Sequence, residues 1–361
     1  MFSQDKVLAP AAQPSFRSDQ RHFAQATAPR TWQFPRDHGR HPEFRTEWWY
    51  FTGNLQNREG RRFGYQLTFF RTALQPQVVA RASRWAFRDA YIGHFAITGV
   101  ERSQFFYDQR VARGSLNLAD AAPEALKVYV GDWSAEERDR IIHLRAEAEF
   151  GSITFLLENQ LAPVLHGQNG LTRKGHLPGD ASQYYSLPRL PTSGALRIGE
   201  DVFQIEGTSW MDHEFFTGLE QGEVQGWDWM SLQLSDSTAI MLYMFRAPEG
   251  TTLPSSGGTL MYADGTYLPL QRHDFAAKPS AWWKSAKTGG KYPVSWQLKI
   301  KNYQLELTTP VSNQELDARA TTGVIYWEGY VEISGRNGNL PVEGVGYLEM
   351  TGYAGAVRPN L

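Results

Sequence analysis

Glu47-Trp48-Trp49-Tyr50-Phe51-Thr52-Gly53-Asn54-Leu55, a polar turn, then Phe63-Gly64-Tyr65-Gln66-Leu67-Thr68-Phe69-Phe70-Arg71: these two runs read as one wide β-hairpin. Both are rich in aromatic and β-branched residues, which suit a pleated surface, and the break between them is made of turn formers. Trp48, Trp49 and Tyr50 in succession put rings on both faces of the first strand, because side chains alternate with a period of two. Both faces must therefore be covered, one by a core and the other by a second layer. Glu47 stands out among these rings, since a buried carboxylate is costly without an Arg or His partner.

Working outward, the same pattern returns at Gly226-Trp227-Asp228-Trp229-Met230-Ser231-Leu232-Gln233-Leu234 and, after a Ser-Asp-Ser turn, at Ala239-Ile240-Met241-Leu242-Tyr243-Met244-Phe245-Arg246. Each hairpin opens with Trp beside a carboxylate and closes with Phe-Arg, which suggests a duplicated unit. Further strands are expected near 90–99, 140–147, 151–159, 203–209, 293–300, 303–309, 324–333 and 342–352, with shorter ones between; only 134–140 and 278–286 read as briefly helical. So many strands without crossover helices predict an all-β chain with antiparallel sheets, built as sandwiches or closed barrels. The 361 residues suit two domains. Residues 1–30 read as a flexible lead, 31–195 as the first domain with its connecting segment, and 196–361 as the second. The stretch 160–196, with Gly167, Gly170, Gly175, Pro178, Pro188 and Pro191, is too long for an idle loop and reads as linker or lid.

Composition excludes several classes. With 36 Lys+Arg against 38 Asp+Glu there is no sustained basic field for nucleic acid. Cysteine is absent, so disulfides, Cys-ligated metals and cysteine nucleophiles are out. No run reaches the ~20 apolar residues of a membrane-spanning helix. The nearest approach to a nucleophile elbow, Gly207-Thr208-Ser209-Trp210-Met211, lacks its last glycine, and there is no P-loop or dinucleotide fingerprint. The Ala-, Gln-, Ser-, Pro- and Arg-rich beginning reads equally well as an ordinary frayed terminus or as the lead that follows a cleaved export signal, and the second reading gives the expectation of a periplasmic or secreted protein.

The densest chemical signal is Ser209-Trp210-Met211-Asp212-His213-Glu214-Phe215. In a strand, Asp212 and Glu214 share one face while His213 lies on the other with Met211 and Phe215. An imidazole among apolar neighbours and beside carboxylates suits acid–base work. No second histidine follows at metal-ligand spacing, so no metal is expected here. His94, within Tyr91-Ile92-Gly93-His94-Phe95, is a further imidazole in an apolar strand. Together with Glu47, Trp48, Trp49, Tyr50, Trp227, Asp228 and Trp229, these residues describe an aromatic-lined apolar pocket with a few polar groups, the usual make-up of a small-molecule site.

Glu47 to Leu55, Trp210-Met211-Asp212-His213-Glu214 and Gly226-Trp227-Asp228-Trp229 resemble, in that order, the signature segments of the carotenoid 1,2-hydratase and AttH-like family, and the likeness runs from about 34 to 355. It implies two tandem lipocalin-like (calycin) barrels that bind an isoprenoid, carotenoid or other lipid. It also implies either a cofactor-independent lyase of the hydratase type or a carrier working with ABC-transporter components. Hydrating an isolated alkene makes a tertiary cation, so it needs a buried acid and aromatic faces. By this resemblance Asp212 and His213 are the acid pair, with Glu214 beside them; Trp210, Trp227 and Trp229 stabilise the cation, and Tyr243 is a polar group on the next strand. A rival from another class is a carbohydrate-active β-sandwich, since Trp platforms beside paired carboxylates also hold sugars. A purely structural envelope subunit is the third.

Overall fold

The computed structural model describes residues 23–76, 86–218 and 224–355, and it is built of strands in two antiparallel sheets. The first contains β1 (Thr46–Asn57), β2 (Arg62–Ala73), β3 (Asp89–Gly99), β4 (Gln104–Arg113), β5 (Ala119–Ala121), β6 (Lys127–Val130), β7 (Trp133–Arg138), β8 (Ile141–Ala148), β9 (Gly151–Glu158), β10 (Val164–Leu165), β11 (Leu171–Arg173), β12 (Ala181–Ile198) and β13 (Asp201–Phe216). The second contains β14 (Gly226–Leu234), β15 (Ala239–Arg246), β16 (Gly257–Met261), β17 (Tyr267–Gln271), β18 (Phe275–Lys284), β19 (Lys291–Ile300), β20 (Tyr303–Thr308), β21 (Glu315–Ala318), β22 (Val324–Asn337) and β23 (Leu340–Thr351). Each sheet curls into a near-barrel around its own apolar core. The expected all-β architecture and both hairpins, β1–β2 and β14–β15, are present.

Chain order and sheet order part company at β13, which lies between β1 and β12, so the strand carrying Trp210 to Glu214 belongs to the first sheet. The boundary expected at 195/196 falls inside β12, and the sheets divide between Phe216 and Gly226. The stretch expected as linker or lid holds β10, β11 and much of β12. Its prolines misled because they sit where they cost little. Pro188 lies in a bulge between Leu187 and Leu190, where β12 passes from its β10 partner to β9, and a bulge tolerates a residue without an N–H. Both segments read as helical are strands. In β7, Trp133 and Ala135 alternate into the core, while 278–286 falls on edge strand β18 and the turn after it. Of the lead expected over 1–30, residues 1–22 lie outside the described residues. Residues 23–30 pack on the first sheet, where Phe23 and Ala26 are buried and Gln183 donates to the Ala28 carbonyl.

The covered second face of β1 is explained by how the sheets meet. Trp49 and Phe51 point into the first core, whereas Trp48 and Tyr50 join Trp210, Tyr184, Trp229, Met241, Tyr330 and Tyr347 in a layer between the two near-barrels.

Candidate functional site

Strand pairing places two polar groups back to back across the first sheet. Inside the near-barrel, Phe215, Glu47 and Arg71 are register partners across β13, β1 and β2, and the next inward row is Tyr185, His213, Trp49 and Phe69. Arg71, fully buried, donates Nε to Glu47 Oε2 and Nη1 to Asp89 Oδ1, both at 2.8 Å, and Nη2 to the carbonyls of His41 and Phe44. His41 donates Nδ1 to Glu47 (2.8 Å) and Nε2 to Asp37 (3.2 Å), and Asp37 takes a further bond from Arg30. With a carboxylate on each ring nitrogen, His41 is an imidazolium. Burial alone would lower its pKa, but Asp37 and Glu47 raise it above the usual value. Burial likewise favours protonated Glu47, yet Arg71, His213 and His41 hold it well below the carboxylate range. The result is a line of alternating charge from Arg30 through Asp37, His41, Glu47 and Arg71 to Asp89 that fastens residues 30–47 to the sheet.

His213 belongs to this network. Its Nε2 donates to Glu47 (2.9 Å), so its Nδ1 accepts from the Tyr185 hydroxyl (3.0 Å), which in turn accepts from His38 Nδ1 (2.6 Å). Burial lowers the pKa of His213, which is neutral. His41, Glu47 and His213 converge closely enough to suggest a cation site. The geometry argues otherwise: Glu47 already accepts from a guanidinium, two imidazoles and the His41 backbone N–H, and Arg71 fills the electrostatic place a cation would take.

On the opposite face, one row runs Ser186, Asp212, Tyr50, Thr68 and His94 across β12, β13, β1, β2 and β3, and the next runs Tyr184, Glu214, Trp48 and Phe70. The second sheet answers with Tyr243, Trp229, Glu349 and Glu328 across β15, β14, β23 and β22. Asp212 accepts from Tyr184 Oη (2.5 Å), Trp210 Nε1 (2.6 Å) and Ser186, and Tyr184 accepts from Trp229 Nε1 (3.0 Å). Burial pushes Asp212 up to about 7 despite these three donors. Glu328 and Glu349 oppose each other directly, a pairing that disfavours two charges. Burial raises both, helped for Glu328 by Glu349 and for Glu349 by Asp212 and Glu214. Lys174 pairs with Glu214 and lies over the Tyr184 and Tyr243 rings. The Tyr50 hydroxyl, beside Glu328, and Glu328 Oε1 make no well-formed hydrogen bond among the described residues. The layer is thus an aromatic sandwich with clustered carboxyls and hydrogen-bonding capacity to spare. Trp48, Trp227, Tyr243, Lys174 and Glu349 are half-buried where it meets solvent.

Of the residues singled out in the sequence, Trp48, Tyr50, Trp210, Asp212, Glu214, Trp227, Trp229 and Tyr243 come together here. Glu47, Trp49 and His213 do not, because they face the other way; the period of two separates Asp212 from His213 and prevents them from acting as an acid pair on one ligand. His94 lies farther along the layer, bonded to Tyr326 (2.7 Å) and Thr321 (2.9 Å), and burial lowers it to about 3. Asp228 points into the second near-barrel, where burial raises it to about 6 although Arg246, at 3.1 Å, pulls it down. Sequence reading missed Glu328 and Glu349, whose strands alternate without comment. It also missed His166, which bridges the sheets from Ser186 (2.6 Å) to Thr259 (2.8 Å) and lies in the Gly/Pro-rich stretch read as connecting segment.

No curated protein matches the chain in sequence. An AttH from Nitrosomonas europaea is 33% identical, with 92% of this chain and 100% of that one covered and a TM-score of 0.82. Kievitone hydratase from Nectria haematococca shares the lipocalin-like fold at 16% identity, with 92% and 96% covered and a TM-score of 0.70. The AttH-like family model matches residues 25–353. The chain belongs to the AttH-like family.

Proposed function

We propose that the layer between the near-barrels binds an apolar isoprenoid- or lipid-type molecule and adds water to it, or removes water from it, by acid–base chemistry without a cofactor. The observation that carries this reading is the carboxyl cluster of Asp212, Glu328 and Glu349 set among tryptophans. Like charges so placed share protons, so one member is a neutral acid at neutral pH while another is ionised. The protonated carboxyl delivers its proton to an alkene carbon, and the cation that forms lies against the faces of Trp48, Trp227 and Trp229. An ionised carboxyl takes a proton from the attacking water as the water oxygen bonds to the neighbouring, cationic carbon. The reverse sequence eliminates water. Glu349, half-buried and bonded by Trp227 Nε1 (3.2 Å), is the member placed to meet a ligand entering from solvent.

Kievitone hydratase, on the same fold, supports the reaction class. The carotenoid-hydratase reaction is one member of that class. Sugar cleavage fits less well, because Glu328 and Glu349 sit side by side on one sheet face instead of flanking a bond from two sides.

The test is tryptophan quenching by retinol, geranylgeraniol and oleate, followed by incubation in ¹⁸O-labelled water and mass spectrometry. Quenching with label uptake that falls about 10²–10⁴-fold in Glu349→Gln is expected. Quenching without label uptake in any partner would leave a carrier, and no quenching at all would overturn the reading.

A further inference from the structure

The chain has nine lysines, and six of them, at 278, 284, 287, 291, 299 and 301, fall in one stretch of the second half. No Asp, Glu or Arg interrupts residues 275–305, although the whole chain carries a net charge of -2. This stretch folds as the β18–β19 hairpin and the turn that follows it.

Strand alternation sorts the hairpin into two faces. Tyr292, Val294, Trp296, Leu298 and Ile300 turn inward to the second core. Lys291 and Lys299 turn outward on β19. Register pairing of Lys278 with Gln297 and of Lys284 with Lys291 puts those two lysines on the same outer face. Trp282 joins them, 47% exposed, with Lys291 Nζ 5.1 Å from its ring centre. Lys301 is paired with Asp274 (2.6 Å), and Lys287 lies 3.8 Å from Asp317. Lys278, Lys284, Lys291 and Lys299 make no ion pair among the described residues.

Lysines on an edge strand also discourage edge-to-edge pairing of sheets. That accounts for Lys278 and Lys284 on β18. It does not account for Lys291 and Lys299 on β19, which is paired on both sides, nor for an exposed tryptophan beside them. A band of lysines without ion pairs around an exposed indole, bordered on β20 by Glu306 opposite Gln297, is the composition of a surface that seats on anionic headgroups, with Trp at the level where tails begin. We infer that the outer face of the β18–β19 hairpin docks the protein on an anionic lipid bilayer.

The position suits such a role. Trp282 touches Tyr353 (6.3 Å between ring centres), Tyr353 carries Arg246 over its ring at 3.7 Å, and Arg246 bonds Asp228, the neighbour of Trp227. These contacts run from the docking face to the start of β14, the strand whose other face carries Trp227. Docking stands whether or not the carboxyl cluster is catalytic, and it is measured without turnover.

The experiment is co-sedimentation of the full chain with vesicles of phosphatidylcholine alone and of phosphatidylcholine with phosphatidylglycerol. Binding to the anionic vesicles is expected at about 50 mM salt and should fall steeply by about 500 mM, where screening is short-ranged. Charge reversal in Lys284→Glu with Lys291→Glu should lower the partition coefficient at least about tenfold, since each lysine near an anionic surface counts for several-fold. Trp282→Ala should lower it about three- to tenfold and remove what survives high salt. Lys278→Gln with Lys299→Gln, a milder change, should give an intermediate loss, with melting temperature unchanged in all variants. Equal sedimentation with both vesicle types, no sedimentation with either, or wild-type binding by the reversed variant would each overturn the inference. So would preferential capture of a DNA duplex over the anionic vesicles.

Discussion

Asp212 and His213 are chain neighbours, yet they belong to two regions of opposite character. The region around His213 is saturated: every carboxylate faces a cation, and His41, Glu47 and Arg71 satisfy one another with good geometry. The region around Asp212 is not. Its carboxyls outnumber its cations, burial raises the pKa values of Asp212, Glu328 and Glu349, and the Tyr50 hydroxyl lies beside the Glu328 carboxyl without a well-formed hydrogen bond. Satisfied buried ion networks hold structure, whereas unsatisfied acids within reach of solvent are where ligands and protons are handled. Before the fold is known, His213 looks the more catalytic of the two; under the proposed function the contrast reverses that order.

The comparison breaks most severely if Arg71 is not structural. Arg71→Met leaves Glu47 and Asp89 buried without a cation, which costs about 3–5 kcal/mol. A fall of that size in urea-unfolding stability is expected, and Glu47→Gln in the same chain should restore part of it. A loss below about 1 kcal/mol would mean that the network is not what holds residues 30–47 in place.

pH should separate the regions next, because their signs differ. Glu47 is depressed in the folded state, so its stabilisation is present above its unfolded value of 4.5 and is lost as pH falls through the folded one. Asp212 is raised from 3.8 to about 7, so its contribution is full below 3.8 and is lost as pH rises through about 7. Between about pH 5 and 8 the wild type should lose roughly 2–3 kcal/mol that Asp212→Asn does not lose. Parallel curves for the two proteins would show that Asp212 is ionised throughout and would remove the acid from the proposed chemistry.

A smaller effect tests the opposed pair. Glu328→Gln removes a like-charge contact with Glu349 and should stabilise the protein by about 1 kcal/mol at pH 8 and by much less at pH 5. Destabilisation at pH 8 would mean that Glu328 carries a hydrogen bond the fold needs.

The fold was largely legible because the aromatic hairpins announce strands, and Trp48-Trp49-Tyr50 correctly demanded cover on both faces. The site was half legible. Alternation told which neighbours part company, so Asp212 and Glu214 could be separated from His213 on paper. What alternation cannot tell is which face meets which sheet. Because β13 returns to pair with β1, the face bearing Asp212 looks across at Glu349, more than a hundred residues away, and no local pattern encodes that meeting. The Pro-rich stretch misled for a related reason, since a bulge lets β12 run on through residues that otherwise end strands.

The least disruptive change sharpens the same contrast. Tyr243 lies at the half-buried edge of the layer, its ring 5.4 Å from Lys174 Nζ, and burial together with Glu214 raises its hydroxyl pKa. Tyr243→Phe keeps the ring beneath the lysine and removes only the hydroxyl, so stability should move by no more than about 0.5 kcal/mol. In the saturated region, losing the corresponding hydroxyl of Tyr185 would strip a bond from both His38 and His213 and cost more. If the layer binds a ligand through its spare polar groups, Tyr243→Phe should weaken retinol quenching about three- to tenfold at unchanged melting temperature. Unchanged quenching would make Tyr243 a ring for Lys174 and nothing more, and would leave recognition to Glu349 and the tryptophans. A drop in melting temperature as large as that of Tyr185→Phe would show the two regions to be alike after all.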